Sequence, residues 1–251
     1  MKLPSLILIF FVTSNIFSQS KKDVLLIDYV FETNFNETRK FASSLYISDS
    51  QSLFFWGNNN RILEEENDKG FEFKINVYES DSIGSYNYTD LTNRTISSRT
   101  VWLNKQKLRI KEGIPSLNWK ISDEQKKIGN FNCQKATTNF RGRRYIAWFT
   151  SEIPTNIGPW KLHGLPGLIL NVVDSEGDIS LYAKQITKVP NNSFPKLPSE
   201  ELQEISIEKY AELQNSLARD LKKKLMGKLP RGAEIEISSF DTLERFSDND
   251  K

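Results

Sequence analysis

Between positions 24 and 188 the chain alternates apolar and polar residues in short runs separated by turn formers. DYVFETNF, KFASSLYI, SLFFW, FEFKINVY, GSYNYTDL, RTVWL and KLRIKEG are rich in β-branched and aromatic side chains and predict strands. In 71–79, Phe71, Phe73, Ile75 and Val77 share one face while Glu72, Lys74 and Asn76 share the other, the pattern of an antiparallel strand with one face buried. Little helical periodicity intervenes, so a meander is expected rather than βαβ units. The polar stretch NNNRILEEENDKG at 58–70 reads as a loop or a single helical turn. NWKISDEQKKIGNFNCQKATTNF followed by RGRRYIAWFT predicts three strands that turn at Gly129-Asn130 and at Arg141-Gly142. GLILNVVDSEGDISLYAKQITKV predicts a hairpin that turns between Asp174 and Gly177.

After the loop PNNSFPKLPS the period changes. Tyr210, Leu213, Leu217, Leu221 and Leu225 recur at three and four residues with charges between them, which predicts an amphipathic helix of about twenty residues. Ser206 or Ser199 suits its N-cap and Gly227 its end, and Lys222, Lys223 and Lys224 complement the dipole in its last turns. The polar tail from about 239 is expected to fray. The expected fold is therefore mainly β with a C-terminal helix (α+β): a curved antiparallel meander or half-barrel packed on one long amphipathic helix.

The first residues change the picture. One lysine at position 2, an apolar run from Leu6 to Val12 and then small and polar residues make 1–18 a signal peptide, too short in its apolar part to span a bilayer. No cysteine lies near the cleavage point to carry a lipid. The mature chain, 19–251, reads as a single β-rich domain without a transmembrane segment, exported to the periplasm or the outer face of the envelope. The full sequence's formal charge of +2 over 251 residues supplies no field for nucleic acid. Cys133 is the only cysteine, so no internal disulfide forms.

Candidate chemistry is sparse. With one histidine and one cysteine, an ordinary zinc site has no ligand set, and neither a metal nor a cofactor is expected. No G-x-S-x-G elbow is present. Cys133 and His163 are the remaining catalytic candidates, with Glu152 and Asp174 as nearby carboxylates. Cys133 lies in a strand pattern, where a lone cysteine behaves as a small hydrophobe. Lys135, Arg141, Arg143, Arg144 and Lys161 form a candidate anion or partner contact, because guanidinium forks hold carboxylates and phosphates bidentately. Gly158, Pro159, Trp160, Gly164, Pro166 and Gly167 read as a stiff connector ahead of a strand at 168–173, with preset or left-handed backbone at proline and glycine, Gly167 included, and Trp160 as an apolar anchor at the core edge.

The stretch CQKATTNFRGRRYIAWFTSEIPTNIGPWKLHGLPGLILNVVD, 133–174, resembles the GLPGLI family, whose six-residue motif stands intact as Gly164-Leu165-Pro166-Gly167-Leu168-Ile169. The pieces C-x-K-A, F-R-G-R, A-W-F-T and G-P-W-K are similar to the family pattern as well. The resemblance implies an exported envelope protein of two-membrane bacteria and brings no agreed activity. Two function classes follow. One is a non-enzymatic binding or accessory module that presents a concave apolar sheet face to a lipid-like or peptide ligand or to an outer-membrane partner. The other is a hydrolase or thiol enzyme built on Cys133, His163 and nearby carboxylates.

Overall fold

Short alternating runs of β-branched and aromatic residues form thirteen strands among the described residues, which are 23–35, 38–57, 61–62, 81–102, 106–226 and 242–246 of a computed structural model. The expected signal peptide and the strand expected at 71–79 lie outside them. The strands are β1 (Val24–Asn34), β2 (Thr38–Ile47), β3 (Gln51–Trp56), β4 (Arg61–Ile62), β5 (Ser85–Asp90), β6 (Thr95–Trp102), β7 (Gln106–Gly113), β8 (Lys120–Ile128), β9 (Phe131–Phe140), β10 (Arg143–Thr150), β11 (Leu168–Asp174), β12 (Ile179–Val189) and β13 (Gln203–Ser206). One helix, α1 (Ile207–Met226), follows.

All belong to one sheet, in the order β13-β7-β6-β5-β3-β2-β1-β12-β11-β10-β9-β8, with β4 beside β2. Set beside the expected curved antiparallel meander or half-barrel, the sheet is mainly antiparallel and curved, and it is built from two meanders rather than one. Two meanders, β1 to β7 and β8 to β12, join where β1 pairs antiparallel with β12, Val24 opposite Val189 and Phe31 opposite Leu181. A further difference is β13, which adds in parallel to β7. Its four residues are too few for a period to be read from sequence.

Chain geometry dictates that the sheet curls. Strands β7 and β8 stand ten strand-to-strand steps apart, roughly 48 Å in a flat sheet. The six residues 114–119 that connect them reach about 25 Å at most. The two ends of the sheet therefore face each other across an open, curved interior. Tyr29 on β1 reaches past β12 and donates its hydroxyl to the Ile169 carbonyl on β11 at 2.6 Å. Leu117 and Trp119, in the connection, pack against the core that fills it.

That core comprises Ile27, Tyr29, Phe31, Leu45 and Phe54 from one side, Cys133, Ala136, Phe140, Tyr145, Ala147 and Phe149 from the other, and Trp160, Leu162 and Leu165 from the segment before β11. None of these residues is more than 8% exposed. The concave apolar face is thus covered by the chain itself, rather than presented to solvent as the sequence suggested. Nor does the helix lie across the whole sheet. Tyr210, Leu213 and Leu217 pack on Trp102, Leu108 and Ile110 of β6 and β7, with the Trp102 and Tyr210 rings 5.5 Å apart edge to face. The helix cap is the expected Ser206, whose hydroxyl accepts the Lys209 amide. The tail differs from expectation at 242–246: Thr242 and Glu244 are buried and Leu243 packs on the main core.

The opposite face of β6 carries a buried Arg99. It donates to the Gly84 carbonyl, to Asp81 at 2.7 Å and, through two nitrogens, to Glu200. This hydrogen bond holds the Glu200 carboxyl below its ordinary range. A carboxylate with a depressed folded-state value contributes stability above its unfolded value, and the contribution is lost as pH falls through the folded one. Glu200→Gln should therefore lower the Tm at neutral pH, and its deficit against the parent should vanish in acid, below the ordinary carboxylate range. Thermal melts of both proteins across pH check this.

Candidate functional site

The stretch 151–167 is a tightly hydrogen-bonded loop whose centre, 157–162, is buried while Ser151, Glu152, Pro154, Asn156, Gly164 and Pro166 are exposed. Gly158 N donates to the Leu162 carbonyl at 2.9 Å, Leu162 N to Pro159 at 3.1 Å and Gly164 N to Asn156 at 2.7 Å. Ile157 and His163 form an isolated antiparallel bridge. Trp160 sits at φ +56 and packs its ring on Phe140 and Tyr145, at 5.6 and 6.0 Å. It lies within the main core rather than at its edge. The loop is tied to the end-to-end connection by the Trp119 indole, which donates to the His163 carbonyl at 2.7 Å.

Gly167 is required for a reason the sequence did not show. Its φ is not left-handed. A Cβ there would stand 2.1 Å from the Thr150 carbonyl oxygen, so no side chain fits between β10 and the start of β11. Leu168, Ile169 and Leu170 are all buried, because both faces of β11 are covered at this point.

The structure turns most of the basic cluster inward. Lys161, 3% exposed, is bonded to Glu112 on β7 and to Glu244 at 2.8 Å. Burial alone would push its ammonium down, but Glu244 and Glu112 outweigh that and hold it above its ordinary range. Arg141 pairs with the same two glutamates. Arg143 is equally buried and bridges Asp174 and Asp178, with its third contact the Thr242 carbonyl. Lys135 stands apart on the outer side with Glu124, and Arg144 is exposed. Arg141, Arg143 and Lys161 thus come together, and acids of this chain already neutralise them.

Cys133 and His163 are not hydrogen-bonded to each other. The thiol is buried and makes a long contact, 3.8 Å, to the Phe131 carbonyl. Burial pushes it up, away from thiolate. Burial pushes the His163 imidazole down, and its Nε2 has no hydrogen-bond partner. A general base needs the opposite arrangement, an imidazole within reach of the group it deprotonates. Glu152 accepts the Asn132 amide at 2.8 Å. Asp174, Glu176 and Asp178 bring carboxylate oxygens within 4.8 Å of one another, but Arg143 and Arg245 stand among them as counter-ions.

Sequence reasoning missed Glu112 and Glu244, the acids that pair with Lys161 and Arg141. One signal was present: in KLRIKEG, alternation places Glu112 on the same face as Leu108 and Ile110, which marks a charge on a buried face. Glu244 carried no such signal, since nothing local in DTLERF indicates a buried glutamate.

Three comparisons bear on this geometry. A family described as a protein of unknown function (Porph_ging) matches residues 140–171, which span β10 and the whole loop through the motif. No curated protein sequence matches the chain. Among solved structures, PNGF-II in one crystal form superposes with a TM-score of 0.50 at 17% identity, covering 76% of this chain and 32% of that one. The chain spans about a third of PNGF-II, and the likeness is one of fold alone. A putative outer membrane lipoprotein-sorting protein domain from Vibrio parahaemolyticus covers 70% of this chain and 88% of its own at a TM-score of 0.31 and 7% identity.

Two sets of variants test the loop. Gly167→Ala should destabilise by about 1–3 kcal/mol through steric conflict with the Thr150 backbone, whereas His163→Ala should stay within about 1 kcal/mol of the parent. Lys161→Met should cost about 3–5 kcal/mol, because it leaves two buried glutamates with one cation. Denaturant midpoints at a common slope measure all three.

Proposed function

We propose that the protein is an exported, non-enzymatic binding or accessory module of the bacterial envelope, with 1–18 as its leader, 19–251 as its one domain and a lipid-like or peptide ligand or an outer-membrane partner as its target. In this reading the GLPGLI resemblance is one of family. Gly158, Pro159, Trp160, Gly164, Pro166 and Gly167 act as a structural connector. The observation that carries the proposal is the self-pairing of the candidate site: Arg141, Arg143 and Lys161 are spent on acids of the same chain, and Cys133 is held as a buried thiol with no hydrogen bond to His163. Among the described helices none is long and apolar enough to cross a membrane.

The covered interior favours a peptide or protein partner over a lipid chain. A buried alkyl chain would have to displace Phe31, Phe54 and Leu162, each at most 1% exposed. A thiol enzyme at Cys133 draws no support from the geometry.

The reading has two checks. Mass spectrometry of the protein recovered from cells should show a chain that begins at position 19, and an intact Met1 or a lipid adduct would overturn export in this form. Native Cys133 should react slowly with a thiol reagent and quickly after denaturation. Rapid labelling of the folded protein, with a midpoint below the ordinary thiol range, would sink the non-enzymatic assignment.

A further inference from the structure

Residues 242–246, Thr-Leu-Glu-Arg-Phe, return to the sheet after α1 has ended and dock on it as an isolated peptide would. Four kinds of contact hold them. The Arg245 amide donates to the Arg141 carbonyl at 3.0 Å, and Arg143 Nη2 donates to the Thr242 carbonyl at 2.9 Å. The Glu244 carboxylate enters the buried pocket of Lys161 and Arg141. The Phe246 ring lies under the Arg141 guanidinium at 4.9 Å and edge-on to Tyr210 at 6.1 Å. Arg245 closes the exposed side by pairing with Glu176 and Asp178. The Thr242 hydroxyl, bonded to the Glu244 carbonyl, fixes the bend of the peptide.

The receiving surface is shaped for this. Arg141 and Gly142 occupy the two-residue β9–β10 turn at φ +48 and +69, as a type I′ hairpin turn requires. A Cβ on Gly142 would stand 2.6 Å from Arg245 Cβ and 2.8 Å from its carbonyl oxygen. Glycine is needed there to let a second backbone approach, besides serving the turn. Charge is also set for an incoming acid. Lys161 is a buried cation and Arg141 a half-buried one, and Glu112 supplies only one carboxylate from the sheet. The second must come from the docked segment.

We propose that Arg141, Arg143, Lys161 and the Arg141-Gly142 turn form a peptide-binding site for a segment carrying a glutamate with an aromatic residue two positions later, that 242–246 fills this site in cis, and that a partner segment of the same pattern takes its place in trans. The mode combines backbone pairing, a buried carboxylate and an aromatic anchor, each a recurrent element of peptide recognition. The proposal rests on the binding-module reading and gives it a ligand class. Tethering places the cis segment at an effective concentration of about millimolar, so a partner segment competes best when Glu244 is absent.

The test uses the full mature chain and fluorescein-labelled peptides DTLERFS and DTLQRFS, followed by anisotropy. The Glu244→Gln chain should bind DTLERFS about tenfold or more tighter than DTLQRFS, and about tenfold or more tighter than the parent chain does, because the parent's own segment competes. Equal binding of the two peptides, or none at millimolar peptide, overturns the site. If Glu244→Gln fails to fold, hydrogen exchange of the parent decides: excess DTLERFS, and not DTLQRFS, should accelerate exchange at 242–246, and unchanged protection overturns the proposal. Failure here in a correctly processed chain with a slow Cys133 sinks this site alone, whereas faulty processing or a fast thiol sinks the module reading alone.

Discussion

Six residues between β7 and β8 constrain everything else in this fold. They are too few to cross a flat sheet of this width, so the sheet must curl until its second and last strands face each other. A curled sheet has an interior, and an interior close-packed like other protein cores needs material to fill it. The sheet supplies most of it. The remainder comes from the loop before β11, which contributes Trp160, Leu162 and Leu165, while Tyr210 of the helix builds a second, smaller cluster on β6 and β7. The tether is itself fastened to the filling by the Trp119 bond to the His163 carbonyl. The motif GLPGLI is thus where the chain leaves its role as filler and becomes a strand.

The price of that arrangement appears in the buried charges. The mouth of the curl brings together β7, the β9–β10 turn, the loop and the returning C-terminal segment, none of which supplies a complete apolar surface there. The gap is filled by Lys161, Arg141, Glu112 and Glu244, and beside them by Arg143 with Asp174 and Asp178. Such networks add less net stability than apolar packing of the same volume, but they fail badly when one member is lost. They also fix geometry: each carboxylate has one cationic arrangement that satisfies it, so four separate segments are held in a single relation.

The parts of the fold set by local periodicity were legible in the residues. Alternation in RRYIAWFT placed Arg143 with Tyr145 on one face and Arg144 with Trp148 on the other, and burial follows that division. The leucine spacing marked a twenty-residue helix and Ser206 its cap. What periodicity does not carry is which strand lies beside which. The β1–β12 pairing, the parallel addition of β13 and the docking of 242–246 are long-range facts, and a strand pattern is silent about its neighbours. The basic cluster shows the same limit. Its members were recognisable, but the partners of Arg141, Arg143 and Lys161 lie at least 29 residues away in the chain. Gly167 was recognisable as a constrained position for a different reason from the true one, since the need for a left-handed backbone and the need for an absent Cβ look identical in one letter.

The seam between β1 and β12 has a consequence in time. The chain's first strand is among the longest in the sheet, and one of its two edges waits for a strand that lies more than 140 residues further on. Contacts of such separation are closed late and slowly, because the intervening chain must be confined before they form. Until then the first meander carries an unpaired edge of mostly apolar sequence, VLLIDYVF, open to association with other chains. The same strand that holds the finished sheet together is therefore the hazard of its assembly, and the second meander has to be complete before that edge is capped.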